Sequence, residues 1–255
     1  MSLNKFDLSG RTAMITGGSK GLGAAMANAL AGAGADVAVT SRHLDESAAT
    51  AKRIEEETGR RALAVKMDVG DRIQVDEGVA KIEGELGKID ILINNAGINI
   101  RSPLADLEDD DWNQVINTNL NGVMYCARAV GKGMVSRNYG RIVNVSSTLG
   151  HVAIAGRTAY ASSKGAVIQF SKVLALEWAP HNITVNALCP GPFLTEINIP
   201  VVNDKEVYQK FVDAVPMGRF GDPEEIGGAA VFLSSDASSY MTGTTLLIDG
   251  GWTAK

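Results

Sequence analysis

The chain has 255 residues, 45% of them hydrophobic and 21% charged, with a formal net charge of −5. That size and balance suit one globular domain over residues 1–255 with a sizeable core. Charges of both signs are scattered along the chain, which argues against nucleic acid as a main partner, because phosphate contacts need a basic face.

Short runs rich in Val and Ile alternate with helix-length segments. In chain order the expected elements are strand Thr12–Thr16, helix Gly21–Ala33, strand Asp36–Thr40, helix Asp45–Thr58, strand Ala62–Lys66 and helix Asp71–Leu86. Then follow strand Ile89–Ile93, helix Asp109–Ser136, strand Arg141–Val145, helix Thr158–Ala179, strand Thr184–Ala187, helix Glu224–Leu233 and strand Thr244–Ile248. The strands are mostly unalternating, as buried parallel strands are. Gly34, Gly59 and Gly87 stand where a glycine ends a helix, and Pro223 stands just before a first helical turn. Strand–helix alternation over the whole length predicts an α/β fold, a doubly wound parallel sheet of seven strands with helices on both faces. Ligands then bind at the carboxyl ends of the strands, where strand order reverses. The segment from about 192 to 215 is the least regular and reads as a substrate loop or lid, with a short helix over Lys205–Val212.

Thr16-Gly17-Gly18-Ser19-Lys20-Gly21-Leu22-Gly23 follows the first strand and opens the first helix. Glycines let the backbone turn sharply and approach a pyrophosphate, and the helix N-terminus offers it free N–H groups and partial positive charge. The spacing is Gly-x-x-x-Gly-x-Gly, which differs from the better-known dinucleotide fingerprint. The second strand ends Val39-Thr40-Ser41-Arg42, with no carboxylate before Asp45. An acidic residue here would take a ribose 2′-hydroxyl, whereas a basic one accepts a 2′-phosphate. Ser41 and Arg42, with Lys20 in the cradle, therefore favour NADP(H) over NAD(H). Asp68, in Met67-Asp68-Val69 after the third strand, either accepts from an adenine amino group or caps the helix near Asp71.

Tyr160 and Lys164 are four residues apart, so on a helix they share one face, and Ser147 lies thirteen residues before the tyrosine. A phenol titrates near ~10 and is a poor proton carrier at neutral pH; a fixed positive charge beside it favours the phenolate.

Together these residues resemble the short-chain dehydrogenase/reductase family along essentially the whole chain. The matching elements are Thr16–Gly23, Asn94-Asn95-Ala96-Gly97, Asn119 within Asn117-Thr118-Asn119-Leu120, Ser146-Ser147, Tyr160-Ala-Ser-Ser-Lys164 and Pro190-Gly191-Pro-Phe-Leu-Thr195. The resemblance implies a Rossmann-type fold and a catalytic tetrad of Asn119, Ser147, Tyr160 and Lys164. Tyr160 would exchange a proton with the substrate oxygen, and Ser147 would hydrogen-bond that oxygen. Lys164 would lower the tyrosine's pKa and hold the nicotinamide ribose, and Asn119 would position a relay water. It also implies cofactor contacts from Gly17, Ser19, Lys20, Gly21, Leu22, Gly23, Ser41, Arg42, Asp68, Val69, Asn95, Ala96, Gly97, Tyr160, Lys164, Pro190, Gly191 and Thr195. Alcohol–ketone interconversion with NADP(H) follows.

Within the family the chain most resembles the gluconate 5-dehydrogenase and 2-deoxygluconate dehydrogenase type, through Asn99-Ile100-Arg101, Glu177-Trp178-Ala179 and Asp249-Gly250-Gly251-Trp252. A sugar acid or polyol substrate is then expected, with His151, Arg101, Arg157 and Phe193 as candidate substrate contacts. The alternative is a 3-oxoacyl-acyl-carrier-protein reductase. Those enzymes typically offer arginines to the acidic carrier at the places where this chain has Asn138 and His181, although Arg137 is adjacent. A non-catalytic NADP(H) sensor is a third reading, opposed by the complete tetrad.

The resemblance further implies a homotetramer built on the Asp109–Ser136 and Thr158–Ala179 helices and the C-terminal segment. Cys126 and Cys189 lack C-x-x-C or metal-ligand spacing, so buried reduced thiols and no metal are expected. No apolar run reaches the ~18 residues of a membrane span. No secretory signal opens the chain, so no membrane partner and residence in the cytoplasm are expected.

Overall fold

A computed structural model describes residues 3–254. Its elements in chain order are β1 (Thr12–Thr16), α1 (Gly21–Gly32), β2 (Asp36–Ser41), α2 (Leu44–Thr58), β3 (Ala62–Lys66), α3 (Arg72–Leu86), β4 (Ile91–Asn94), α4 (Asp109–Ile116), α5 (Gly122–Arg137) and β5 (Gly140–Val145). They continue with α6 (Thr158–Trp178), β6 (Ile183–Pro190), α7 (Ile199–Val202), α8 (Lys205–Ala214), α9 (Gly227–Ser234) and β7 (Thr245–Ile248). The strands form one parallel sheet in the order β3-β2-β1-β4-β5-β6-β7. Order reverses between β1 and β4, so the crevice above their carboxyl ends is the switch point where such sheets bind ligands.

Side chains alternate across the sheet, and each face has its own core. Ile15 of β1 packs with Met26 and Leu30 of α1 and Ile226, Ala230 and Leu233 around α9. The neighbouring Met14 faces the other way, towards Val75 and Ile82 of α3 and Cys126, Val130 and Met134 of α5. Each such side chain contributes roughly 1.5–3 kcal/mol when fully buried. Both cysteines are buried and unpaired.

Three boundaries differ from the sequence expectation in informative ways. First, β6 runs to Pro190, beyond Ala187, because β7 pairs with it as far as Pro190↔Ile248. Proline lacks a donor, and it sits as the last residue of the strand, where it is tolerated. Second, Asp71 caps α3, accepting from Ile73 N at 2.9 Å and Gln74 N at 3.3 Å. Third, the expected helix Asp109–Ser136 is interrupted by a π-helical turn over Asn117–Asn121. Backbone angles stay helical across it, with Asn117 at φ −61° and Gly122 at φ −58°. Only the hydrogen bonding slips by one residue, as in π-bulges, which often mark functional sites. Asparagine is a weak helix former, and here side chains stabilise the slip. Asn117 Nδ2 donates to Gly70 O at 3.1 Å, and Asn121 Nδ2 donates to Asn117 Oδ1 at 3.1 Å.

The 192–215 segment is more ordered than a loop, carrying α7 and α8. Asp204 caps α8 by accepting from Glu206 N and Val207 N. The aromatic chain Tyr208–Phe220–Phe211–Trp252, with centroids 5.0–6.2 Å apart, anchors α8 to the C-terminal segment.

Candidate active site

A cavity of about 320 Å³ opens above the carboxyl ends of β1, β2, β4, β5 and β6. Its floor is the glycine turn after β1. Gly17 (φ +59°) and Gly21 (φ +54°) adopt the left-handed region. A Cβ on Gly17 would come 2.9 Å from the Ala96 backbone, and one on Gly23 would strike the Gly17 carbonyl and the Asn95 side chain. Any side chain there would displace the turn. Asn95 Nδ2 donates to the carbonyls of Thr16 and Gly17, at 3.0 Å each, and so ties the cradle to the end of β4. The N-terminus of α1 carries no side-chain cap: Lys20 stands at its N-cap with no such bond. Its N–H groups therefore face the cavity as an anion site. This donor set and the close backbone approach fit a dinucleotide pyrophosphate.

The residues named for the dinucleotide line this cavity together: Gly17, Ser19 through Gly23, then Ser41, Arg42, Asp68, Val69, Asn95, Ala96, Gly97, Pro190, Gly191 and Thr195. Two of them are committed elsewhere. Ser41 Oγ donates to His43 O at 2.7 Å and lies 2.8 Å from Ser47 Oγ, shaping the β2–α2 turn. Lys20 Nζ lies 2.7 Å from Glu196 Oε2 and 3.7 Å from Glu46 Oε1. The hydrogen bond to Glu196, aided by the charge of Glu46, raises the Lys20 pKa. Arg42 is exposed and forms no ion pair among the described residues. Asp68 accepts from Gly70 N at 2.9 Å, and since Asp71 caps α3, Asp68 is not the helix cap.

At the other end of the cavity stand Ser147, Tyr160 and Lys164. Ser147 follows β5, and Tyr160 and Lys164 lie on the first turns of α6. Of the two adjacent serines, Ser146 donates to Lys164 O at 2.8 Å, a helix-bracing bond, while Ser147 accepts from Leu149 N at 3.1 Å and stands near enough to the Tyr160 phenol to favour its ionised form. Lys164 Nζ lies 5.7 Å from the Tyr160 ring centroid and donates to Val145 O at 2.8 Å. Among the described residues no carboxylate pairs with it, and burial lowers its pKa to about 8.

The expected lowering of the Tyr160 pKa by Lys164 does not arise from the chain's own groups. Burial raises the phenol above its ordinary value, against the pull of the Ser147 hydrogen bond and the Arg157 charge. The phenol thus keeps its proton at neutral pH.

Asn119 is fully buried, at the centre of the π turn. Its Oδ1 accepts from Ile98 N at 2.8 Å, and its Nδ2 donates to Ile98 O at 2.9 Å and to Ser163 Oγ at 3.0 Å. Both N–H donors of the carboxamide are thus engaged and the side chain braces the turn, while Oδ1 keeps a second lone pair. It does flank the lysine: a Cβ on Gly97 would sit 3.3 Å from Asn119 Oδ1 and 3.4 Å from Lys164 Nζ.

Of the four candidate substrate contacts, only Phe193 lines the cavity, and its ring is in the core, 4% exposed. His151 is exposed, with Nε2 3.8 Å from Cys189 Sγ. Arg101 donates to Ile197 O at 2.9 Å, and it is close enough to Arg157 for the two charges to repel. The Ser102↔Arg157 bridge puts the two guanidiniums on adjoining segments, and neither lines the cavity. Sequence reasoning missed Glu46 and Glu196, which also line the cavity. Neither has a motif signal, because their partner Lys20 is brought to them by the fold.

A family model described as Enoyl-(Acyl carrier protein) reductase matches residues 17–253. The gluconate 5-dehydrogenase of Gluconobacter oxydans (strain 621H) is 42% identical over 250 residues, covering 98% of this chain and 97% of that protein. The acetoacetyl-CoA reductase of Shinella zoogloeoides is 42% identical over 242 residues, covering 94% and 98%. A crystal structure of a gluconate 5-dehydrogenase from Burkholderia cenocepacia J2315, in complex with NADP and tartrate, superposes with a TM-score of 0.96 at 39% identity over 100% of both chains.

Proposed function

The chain belongs to the short-chain dehydrogenase/reductase family, and on that premise we propose that it is an NADP(H)-dependent oxidoreductase interconverting a secondary alcohol and a ketone. The observation that carries the reading is the meeting of Ser147, Tyr160 and Lys164 at one end of a cavity whose other end is a glycine cradle. The nicotinamide, when bound, supplies the hydride chemistry. The chain supplies the rest. Tyr160 donates its phenolic proton to the ketone oxygen, or takes it back from the alcohol. The Ser147 hydroxyl donates to the same oxygen and stabilises charge as it develops. Lys164, held by Val145 O, keeps an ammonium beside the tyrosine. The cradle and the N-terminus of α1 would hold the pyrophosphate, and Arg42 and Lys20 would face a 2′-phosphate.

For the substrate we favour a sugar acid or polyol. The relatives named gluconate 5-dehydrogenase support this, and Arg101 and Arg157, on segments joined by the Ser102↔Arg157 bridge, are the cations that would suit a carboxylate. A 3-oxoacyl thioester is the second reading, favoured by the acetoacetyl-CoA reductase relative. Against a carrier-bound form, Arg137 turns inward to donate to Ile89 O at 2.5 Å, and Asn138 is a left-handed helix cap. Steady-state rates with NADPH and NADH against 5-ketogluconate, a 3-oxoacyl thioester and simple ketones test the reading. Turnover of 5-ketogluconate with NADPH is expected. Tight NADPH binding with no turnover of any ketone would instead make the chain a sensor.

A homotetramer belongs to the same proposal. Val173 and Leu176 on the outer face of α6 are 48% and 78% exposed, a placement that suits burial against a second copy. Residence in the cytoplasm is likewise proposed, in keeping with two unpaired thiols. Among the described residues no helix is long and apolar enough to cross a membrane.

A further inference from the structure

The mouth of the cleft holds a carboxylate that neither the cradle nor the proton chemistry requires. Glu46 stands in the first turn of α2. Its Oε2 accepts from Ser19 Oγ at 3.2 Å, and its Oε1 lies 3.7 Å from Lys20 Nζ, which Glu196 meets from the other side at 2.7 Å. Both partners belong to the cradle. Glu46 lines the cavity beside Ser41 and Arg42, at the end of β2. An acidic residue in a first helical turn complements the helix dipole. Asp45, in the same turn, already provides that, and it forms no bond to the cradle among the described residues.

At the end of a second strand, an acidic side chain takes the ribose 2′-hydroxyl and a basic one accepts a 2′-phosphate. This recess carries both kinds, Arg42 and Glu46. The Glu46 carboxylate rests on a hydroxyl and an ammonium, the pair of groups that a phosphate monoester would also seek.

We propose that Glu46 is a cofactor-specificity residue that competes inside the cleft for Ser19 and Lys20, and so holds down the chain's preference for the 2′-phosphorylated dinucleotide. This rests on the cavity being the dinucleotide cleft. A 2′-phosphate must displace the carboxylate or sit beside it, and like charges at that range repel. A free 2′-hydroxyl meets an acceptor instead. Discrimination is therefore a balance of Arg42 and Lys20 against Glu46.

The test is direct binding. Dissociation constants of NADPH and NADH are measured by nicotinamide fluorescence, and those of adenosine 2′,5′-bisphosphate and AMP by calorimetry, on the wild type, Glu46→Gln, Lys20→Met and the double variant. Glu46→Gln is expected to raise the NADPH-over-NADH affinity ratio about 5- to 10-fold, with the bisphosphate-over-AMP ratio moving in parallel, and less so at high salt. Most of that gain disappears when Lys20 is also Met, because the ammonium, then shared with Glu196 alone, supplies it. A ratio within twofold of the wild type, or the same gain without Lys20, overturns the proposal while leaving the cleft intact. Failure of the wild type to bind either dinucleotide overturns the cleft reading and this proposal with it.

Discussion

The two ends of the sheet treat buried charge in opposite ways. At the amino ends, charges are matched. Arg141, 5% exposed, pairs with Asp236 at 2.9 Å, donates to Gly140 O and Asn182 O, and stacks 4.5 Å over Tyr139. Asp90 pairs with Lys88 at 2.9 Å and accepts from Thr12 N. At the carboxyl ends, Lys164 is 4% exposed yet among the described residues has one hydrogen bond and no carboxylate, and burial pushes its pKa down to about 8. Tyr160 is likewise pushed up by burial. Perturbed titrating groups gathered in a cleft are what catalysis needs and what stability alone would remove. One end of the sheet is thus built to stay folded and the other to react.

Substitutions at each end separate these roles. The largest effect belongs to Tyr160→Phe: kcat falls about 10³-fold or more, in the range general acid–base catalysis supplies, while the melting temperature holds or rises. Parallel loss of folding would show the phenol to be structural. Arg141→Met is the mirror case. It breaks the pair, two backbone bonds and the stack, but Asp236 is half exposed and regains water, so the cost is about 2–3 kcal/mol. Calorimetry should show a fall of roughly 5–10 °C with kcat at 25 °C nearly unchanged. A large kcat loss there would dissolve the distinction between the two ends.

A pH profile sharpens it. In the proposed reaction ketone reduction needs the phenol protonated, and the raised Tyr160 pKa keeps it so at neutral pH. Lys164 carries its charge only below about 8. Hence kcat/KM for reduction falls as pH rises through about 8, and Lys164→Met, whose side chain cannot titrate, lowers the rate and abolishes that limb. A limb persisting in Lys164→Met belongs to another group. The same shift has a stability consequence. With the native pKa below the unfolded one, the unfolded chain binds more protons between about 8 and 10.5, so stability rises with pH across that window.

What could be read from the sequence was what the chain encodes locally. The cradle is a run of adjacent residues whose glycines serve a turn, and Tyr160 and Lys164 share a face by helical spacing alone. The strands announced themselves through Val and Ile. What escaped was set by contacts between distant segments. The π turn depends on Asn119 reaching Ile98 and Ser163, partners 21 and 44 residues away. Glu46 and Glu196 became part of the site only when the fold carried them to Lys20. The substrate residues were chosen by their distance along the chain from Ser147 and the cofactor motif. The cavity wall is drawn instead by the segment around Ile197, which takes up Arg101 through its carbonyl.

The smallest effect tests how that segment joins the reactive end. Glu196, just before α7, is 2.7 Å from Lys20 in the cradle, so one ion pair spans the cleft from wall to floor. Both side chains are more than half exposed, and an exposed pair is worth only about 0.2–1 kcal/mol. Glu196→Gln should therefore leave the melting temperature within error and raise KM for both dinucleotides about two- to threefold together, an effect that fades in high salt. Equal movement for NADPH and NADH marks a strap across the cleft. A change confined to NADPH would instead put Glu196 with Glu46, among the groups that meet the 2′ position.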